Sequence, residues 1–212
     1  MATAILPVKR FDQAKQRLTA GYERAQRRAL VAAMVEDVLE AIAKARTVER
    51  TIVVTGDPIA QELAAEAGAE VVPDPGDAGH VQAVLAGIAR AESEGAEQVV
   101  LLPGDCPLLD PQELDRLLTG VPERYVAVVP DRHGTGTNAL VLSPPSAIVP
   151  AFGEGSCARH VELAREAGIP FGIEELSSLG LDLDTPADVI ALTTRLMGER
   201  GRARRTARAL GI

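Results

Sequence analysis

The run Val99-Val100-Leu101-Leu102-Pro103-Gly104-Asp105-Cys106-Pro107 decides the fold. Four apolar residues in succession read as a short strand covered on both faces, as in the centre of a parallel sheet. Pro103 and Gly104 stop the strand, and Asp105 follows at the edge where it ends. A carboxylate has no packing reason to stand there. Open α/β sheets bind ligands just beyond the carboxyl ends of their strands, so Asp105 is placed to hold a metal over a phosphorylated substrate. The expectation is a metal-dependent enzyme acting on phosphates.

Outward from this strand, the hydrophobic pattern alternates in period. Residues 2–8, 51–55, 70–72 and 125–129 read as strands, and 59–67 and 81–94 as helices. Residues 22–46 carry Leu30, Met34, Val38, Leu39 and Ile42 on one helical face, and Pro111 opens a further helix with Asp110 as its cap. The second half is less regular: strand-like at 138–142 and 171–174, helical at 156–167, with a last helix from Pro186. Strand and helix in alternation predict a Rossmann-like, three-layer α/β/α arrangement with a mostly parallel central sheet, in one domain spanning 1–212. The loop 74–79, rich in Pro, Gly and Asp, reads as mobile. The tail at about 199–212, with Arg200, Arg202, Arg204, Arg205 and Arg208, reads as a solvated helix end.

Composition narrows the partners. A net charge of -8 argues against nucleic acid and membrane surfaces, both of which draw on clustered positive charge, and leaves a small ligand. Acidity is compatible with a nucleotide when divalent ions stand between carboxylates and phosphates. Cys106 and Cys157 lack metal-site spacing and read as reduced thiols. With no leader pattern and no apolar run of membrane-spanning length, the expected compartment is the cytoplasm.

Four constellations carry chemistry. After the first strand, Pro7 to Leu18 gathers Lys9, Arg10, Lys15 and Arg17 in one loop, enough charge to neutralise a triphosphate and a leaving pyrophosphate; a solvated basic loop is the plain alternative. In Leu181-Asp182-Leu183-Asp184-Thr185-Pro186, alternate carboxylates of an extended segment point to one side and can converge on a cation, or Asp184 or Thr185 can cap the helix at Pro186. Asp131-Arg132-His133-Gly134-Thr135-Gly136-Thr137-Asn138 is either an anion cradle of backbone N–H groups or a plain turn. In Phe152-Gly153-Glu154-Gly155-Ser156-Cys157-Ala158-Arg159-His160, Ser156 starts a helix whose free N–H groups suit an anion, or merely caps it; His160 lies one turn on.

Taken in order, these pieces resemble the CofC/FbiD family, the guanylyltransferases of coenzyme F-420 biosynthesis within the MobA-like nucleotidyltransferases. The matching residues are Pro7-Val8-Lys9, Ala14-Lys15, Arg17-Leu18, Gly104-Asp105 with Pro107, Asp131-Arg132, Gly134 to Thr137, Gly153, Ser156, His160, and Asp182 with Asp184-Thr185-Pro186. The resemblance implies a nucleotidyltransferase fold and transfer of GMP from GTP to phosphoenolpyruvate. The products would be enolpyruvoyl-2-diphospho-5'-guanosine and pyrophosphate. It further implies Lys15 and Asp105 as catalytic residues, Lys9, Lys15 and Arg17 at the nucleotide, Thr137, Gly153 and Ser156 at the acceptor, and Asp105, Asp182 and Asp184 on Mg2+. Implied partners are GTP, a small phosphorylated carboxylic acid and a pathway enzyme that takes up the guanylylated product, with a homodimer left open.

Other readings stay open at this stage. Acceptors such as 2-phospho-L-lactate or 3-phosphoglycerate share the same carboxylate and phosphate, and only pocket shape separates them. A noncatalytic nucleotide-binding protein and a sugar or molybdopterin nucleotidyltransferase are the alternatives of another kind. One departure bears on the nucleotide: Gly79-His80-Val81-Gln82-Ala83 replaces the family's Leu-Asn pair, with Val81 in place of the Asn and Gln82 as its substitute.

Overall fold

The computed structural model describes residues 1–12, 14–18, 21–74, 79–198 and 201–212. Seven strands form one sheet: β1 (Ala2–Val8), β2 (Val48–Thr55), β3 (Glu70–Pro73), β4 (Val99–Leu101), β5 (Tyr125–Pro130), β6 (Thr137–Ser143) and β7 (Phe171–Ile173). The spatial order is β3-β2-β1-β4-β6-β5-β7, with β6 antiparallel to both of its neighbours and every other pairing parallel. The helices are α1 (Arg24–Lys44), α2 (Pro58–Glu66), α3 (His80–Ser93), α4 (Pro111–Leu118), α5 (Ser156–Glu166), α6 (Pro186–Gly198) and α7 (Arg204–Leu210).

Side-chain alternation along the strands builds two cores. On β1, Ala2, Ala4, Leu6 and Val8 face one side with α1, α2, α4 and α6, whereas Ile5 faces α3 and α5 on the other. Val100 and Leu102 join the first core, Val99 and Leu101 the second. Strand β4 is therefore covered on both faces, as its unbroken apolar run requires. One glycine holds the layers close, since a Cβ on Gly87 of α3 would lie 2.5 Å from Ile5 Cγ2, while Gly172 of β7 leaves room for the Tyr125 side chain of the paired strand β5.

The C-terminal region differs from its expected solvated end. Asp37, buried on α1, accepts hydrogen bonds from the N–H groups of Arg205 (3.2 Å) and Thr206 (2.8 Å) and from the Thr206 hydroxyl (2.7 Å). Arg205 pairs with Glu36 (2.7 Å) and Glu40 on the same helix. The tail packs against α1 because a buried carboxylate on that helix satisfies the first N–H groups of α7. Arg200, and most of the loop expected to be mobile, lie outside the described residues. Among the described residues no helix is long and apolar enough to cross a membrane.

Candidate active site

Strands β1, β2 and β4 run parallel with Ile5 beside both Ile52 and Leu101, so all three deliver their following residues to one edge. Lys9 follows β1 there, Asp57 follows β2 and Asp105 follows β4. The loop after β1 is fastened by Asp57, whose Oδ2 accepts the Phe11 N–H at 2.8 Å while its Oδ1 caps α2 through the N–H groups of Ile59 and Ala60. Phe11 and Leu18 are buried at the ends of this loop, and Lys15 between them has φ of 54°. That left-handed backbone is unusual for a residue with a Cβ, and it accompanies an inward-turned side chain.

Lys15 Nζ lies 2.5 Å from Asp105 Oδ2 and 2.7 Å from Asp184 Oδ1, with only 7% of its side chain exposed. The segment carrying Asp184 is brought alongside by the Leu183 N–H, which donates to the Asp105 carbonyl at 3.2 Å. Asp188 then holds it in shape: its Oδ2 accepts from the N–H groups of Asp184 (3.0 Å) and Thr185 (2.6 Å) and from the Thr185 hydroxyl (2.8 Å). Its other oxygen pairs with Arg132 from the β5–β6 loop. Of the two helix caps considered from sequence, Thr185 takes that part, and Asp184 turns to Lys15.

The charges follow from this geometry. Burial works to lower the Lys15 pKa, but Asp105 and Asp184 outweigh it and push the ammonium above its ordinary value. Burial raises Asp105, yet Lys15 outweighs it and holds the carboxyl below the usual range. Asp182 is pushed up, first by burial and then by Asp105 and Asp184. Lys15 is thus a permanent cation between two carboxylates, near a third carboxyl on which its pull is outweighed by burial and like charge.

A cleft of about 670 Å³ opens at this edge. Lys9, Arg17, Asp182 and Asp184 border it, as do Asp131, Thr137, Gly153 and Ser156. A cavity of about 310 Å³ adjoins at Lys15, Gly104 and Asp105, and one of about 230 Å³ at Arg10, Asp74 and Ala83; Lys9 and His80 line all three. All nine residues singled out from sequence for a role therefore border connected space at one sheet edge. The family departure falls here too, since His80, Val81 and Gln82 line the large cleft.

Two local alternatives left open by the sequence are decided by the structure. The Gly-rich loop before β6 is a turn wound on Asp131, whose Oδ1 accepts the N–H groups of His133 and Thr135 while its carbonyl accepts that of Gly134. Those N–H groups are turned inward and form no anion cradle. At α5, the Ser156 and Cys157 N–H groups are already taken by the carbonyls of Gly153 and Thr135, at 3.1 Å each. Gly155, with φ of 70°, is the cap residue, and Ser156 is the first residue of the helix. Those two N–H groups are not available to an anion, whereas the hydroxyls of Thr137 and Ser156 border the cleft.

Sequence reasoning passed over Asp57, Asp188 and His80. Thr185-Pro186-Ala187-Asp188 has the spacing of a capping box, and Asp57-Pro58 is a helix start, so both carried a signal. His80 carried none: burial and Lys9 lower its pKa against an opposing pull from Asp105.

The donor set suits a hard divalent cation, being all oxygen, with Asp182 raised first by burial and then by the like charges of Asp105 and Asp184. Among the described residues no three carboxylate, imidazole or thiol groups form a ready-made metal cage. A magnesium site needs none, because this ion is usually held by one or two carboxylates and the substrate's phosphates.

Known proteins similar to this chain bear on its family and its fold. The family model for "Guanylyl transferase CofC like" matches residues 2–212. A phosphoenolpyruvate guanylyltransferase of Conexibacter woesei is 49% identical over 206 residues, covering 96% of this chain and 92% of that protein. A 3-phospho-D-glycerate guanylyltransferase of Phenylobacterium zucineum is 40% identical over 205 residues, covering 94% and 93%. Among solved structures, a nucleotidyl transferase from Methanothermobacter thermautotroptrophicus superposes with a TM-score of 0.70 at 17% identity, over 93% of this chain and 98% of that one, a likeness of fold. With the family model spanning nearly the whole chain and relatives this similar, the protein belongs to the CofC-like guanylyltransferase family.

Proposed function

We propose that this chain, as one nucleotidyltransferase domain over residues 1–212, transfers GMP from GTP to phosphoenolpyruvate. A phosphate oxygen of the acceptor attacks the α-phosphorus of GTP, the bond to the β-phosphate oxygen breaks, and pyrophosphate leaves. The products are enolpyruvoyl-2-diphospho-5'-guanosine and pyrophosphate. The observation that carries this reading is Lys15 fixed between Asp105 and Asp184 in a cavity adjoining a cleft bordered by Thr137 and Ser156. Such transfers need positioning and charge neutralisation rather than a covalent nucleophile, and the site supplies those.

Lys15 stays protonated at any working pH, so it serves as a fixed counter-charge for the triphosphate, with Lys9 and Arg17 beside it. Thr137, Gly153 and Ser156 border the acceptor end. Asp105, Asp182 and Asp184 would hold Mg2+, which when bound supplies charge neutralisation between the phosphates and the carboxylates. A substrate pair of GTP and a small phosphorylated acid fits a cytoplasmic enzyme. A second acceptor, 3-phosphoglycerate, is favoured by the activity named for the 40% identical relative.

The test is an acceptor-by-nucleotide matrix, with phosphoenolpyruvate, 3-phosphoglycerate and 2-phospho-L-lactate against GTP and the other nucleoside triphosphates, read as pyrophosphate release. The expected result is turnover with GTP and phosphoenolpyruvate, abolished by Asp105→Asn with the fold intact. Nucleotide-dependent stabilisation without pyrophosphate release from any pair would refute catalysis.

A further inference from the structure

His160 is fully buried on α5 with both ring nitrogens engaged. The Ala151 N–H donates to Nε2 at 2.9 Å, so that nitrogen keeps its lone pair. A neutral imidazole with an accepting Nε2 carries its hydrogen on Nδ1, and Nδ1 lies 3.0 Å from Thr137 Oγ1. The histidine donates, the threonine oxygen accepts, and the hydroxyl hydrogen of Thr137 is left for another partner. Thr137 borders the large cleft. The ring cannot easily turn away, because Phe152 packs edge-on against it at 5.1 Å. Burial, helped by Arg159, lowers the His160 pKa to about 4, which keeps the ring in the neutral form this pattern requires.

We propose that His160 is a positioning residue that fixes Thr137 as a hydrogen-bond donor into the cleft, selecting an acceptor whose unprotonated carboxylate or phosphate oxygen meets that hydroxyl. The reading matters because the Ser156 and Cys157 N–H groups are bonded to loop carbonyls. Hydroxyl direction then decides whether this end attracts or repels an anion: an oxygen with its lone pairs toward the cleft would repel. The inference rests on the acceptor-end reading given above.

The experiment is steady-state kinetics of the full-length enzyme with GTP, Mg2+ and phosphoenolpyruvate, on His160→Gln, His160→Asn, Thr137→Val and the double variant H160Q/T137V. The Asn amide nitrogen can take the place of Nδ1 and keep the donor to Thr137; the Gln amide reaches the Nε2 position and withdraws it. Thr137→Val and His160→Gln should each raise KM for phosphoenolpyruvate roughly tenfold, the loss of one hydrogen bond to an anion. The value of kcat and KM for GTP should stay within about twofold, and the double variant should match Thr137→Val alone. His160→Asn should lie closer to wild type than His160→Gln.

Full multiplication of the two effects in the double variant, or an equal rise in both KM values, would overturn the proposal. If His160→Gln fails the circular-dichroism check for folding, His160→Asn in the Thr137→Val background decides: an added acceptor defect there also overturns it. An unchanged acceptor KM in Thr137→Val points instead to failure of the acceptor-end reading, because turnover would persist with this hydroxyl irrelevant.

Discussion

Acidifying the protein from pH 7 to pH 4 puts a measurable load on His160. In the fold the ring is buried and titrates at about 4, against 6.5 for a free imidazole. Above pH 6.5 the ring is neutral in both folded and unfolded chains, and its contribution to stability is fully present. Between 6.5 and 4 the unfolded chain binds one proton more than the folded chain, so stability falls as pH falls. The interval of 6.5 minus about 4, at about 1.4 kcal/mol per pH unit, amounts to about 3 kcal/mol. For a chain of 212 residues that corresponds to roughly 6–12 °C in Tm. The assay is thermal unfolding by circular dichroism across this pH range, for wild type and His160→Gln. Other groups whose protonation changes in this range contribute to both proteins and cancel in the difference. The wild type should lose about 3 kcal/mol more than the variant between pH 6.5 and 4. Parallel curves, or a His160 ring-proton NMR signal titrating near 6.5, would refute the reasoning.

Other perturbations follow from contacts described above. Lys15→Met leaves Asp105 and Asp184 facing each other without their ammonium, and kcat should fall by roughly a hundredfold or more, the scale set by losing one preorganised charge contact; pyrophosphate-release kinetics near the wild-type rate would exclude the counter-charge role. Gly87→Ala places a Cβ 2.5 Å from Ile5 Cγ2, which should destabilise the fold by about 1–3 kcal/mol. Urea denaturation measures this, and in an Ile5→Ala background, which lacks the clashing Cγ2, the added loss from Gly87→Ala should be smaller than in the wild type. Asp37→Ala removes the acceptor for the Arg205 and Thr206 N–H groups and should lower stability by about 1–2 kcal/mol. Hydrogen exchange confined to α7 would rise, with KM for both substrates unchanged.

The sheet and most of its helices were legible because the signals for them are local. Val99 to Leu102 read as a strand buried on both faces, and its neighbours are hydrogen-bonded on both sides. Asp110 and Pro111 marked a helix start, and Asp110 accepts the Gln112 N–H at 2.7 Å. The seven residues of α7 escaped notice because a short Arg-rich stretch carries only a weak apolar signal; Ala207 and Leu210 pack on the core, and a carboxylate on α1, 169 residues away in sequence, holds its first turn.

What the sequence determined by itself was which residue types meet which sheet edge. An unbroken apolar run ended by Asp105, a loop of cations after β1 and alternating carboxylates at Asp182 and Asp184 can be read in one dimension, since strand periodicity and chain stops are local properties. The tertiary structure decided which of those groups touch. Lys15 meets Asp105 across 90 residues and Asp184 across 169, and the His160 tautomer depends on the distant Thr137 and on an Ala151 N–H from outside its helix. Proton placement and pairing depend on distances of a few ångströms, and chain folding alone brings such remote groups within that range.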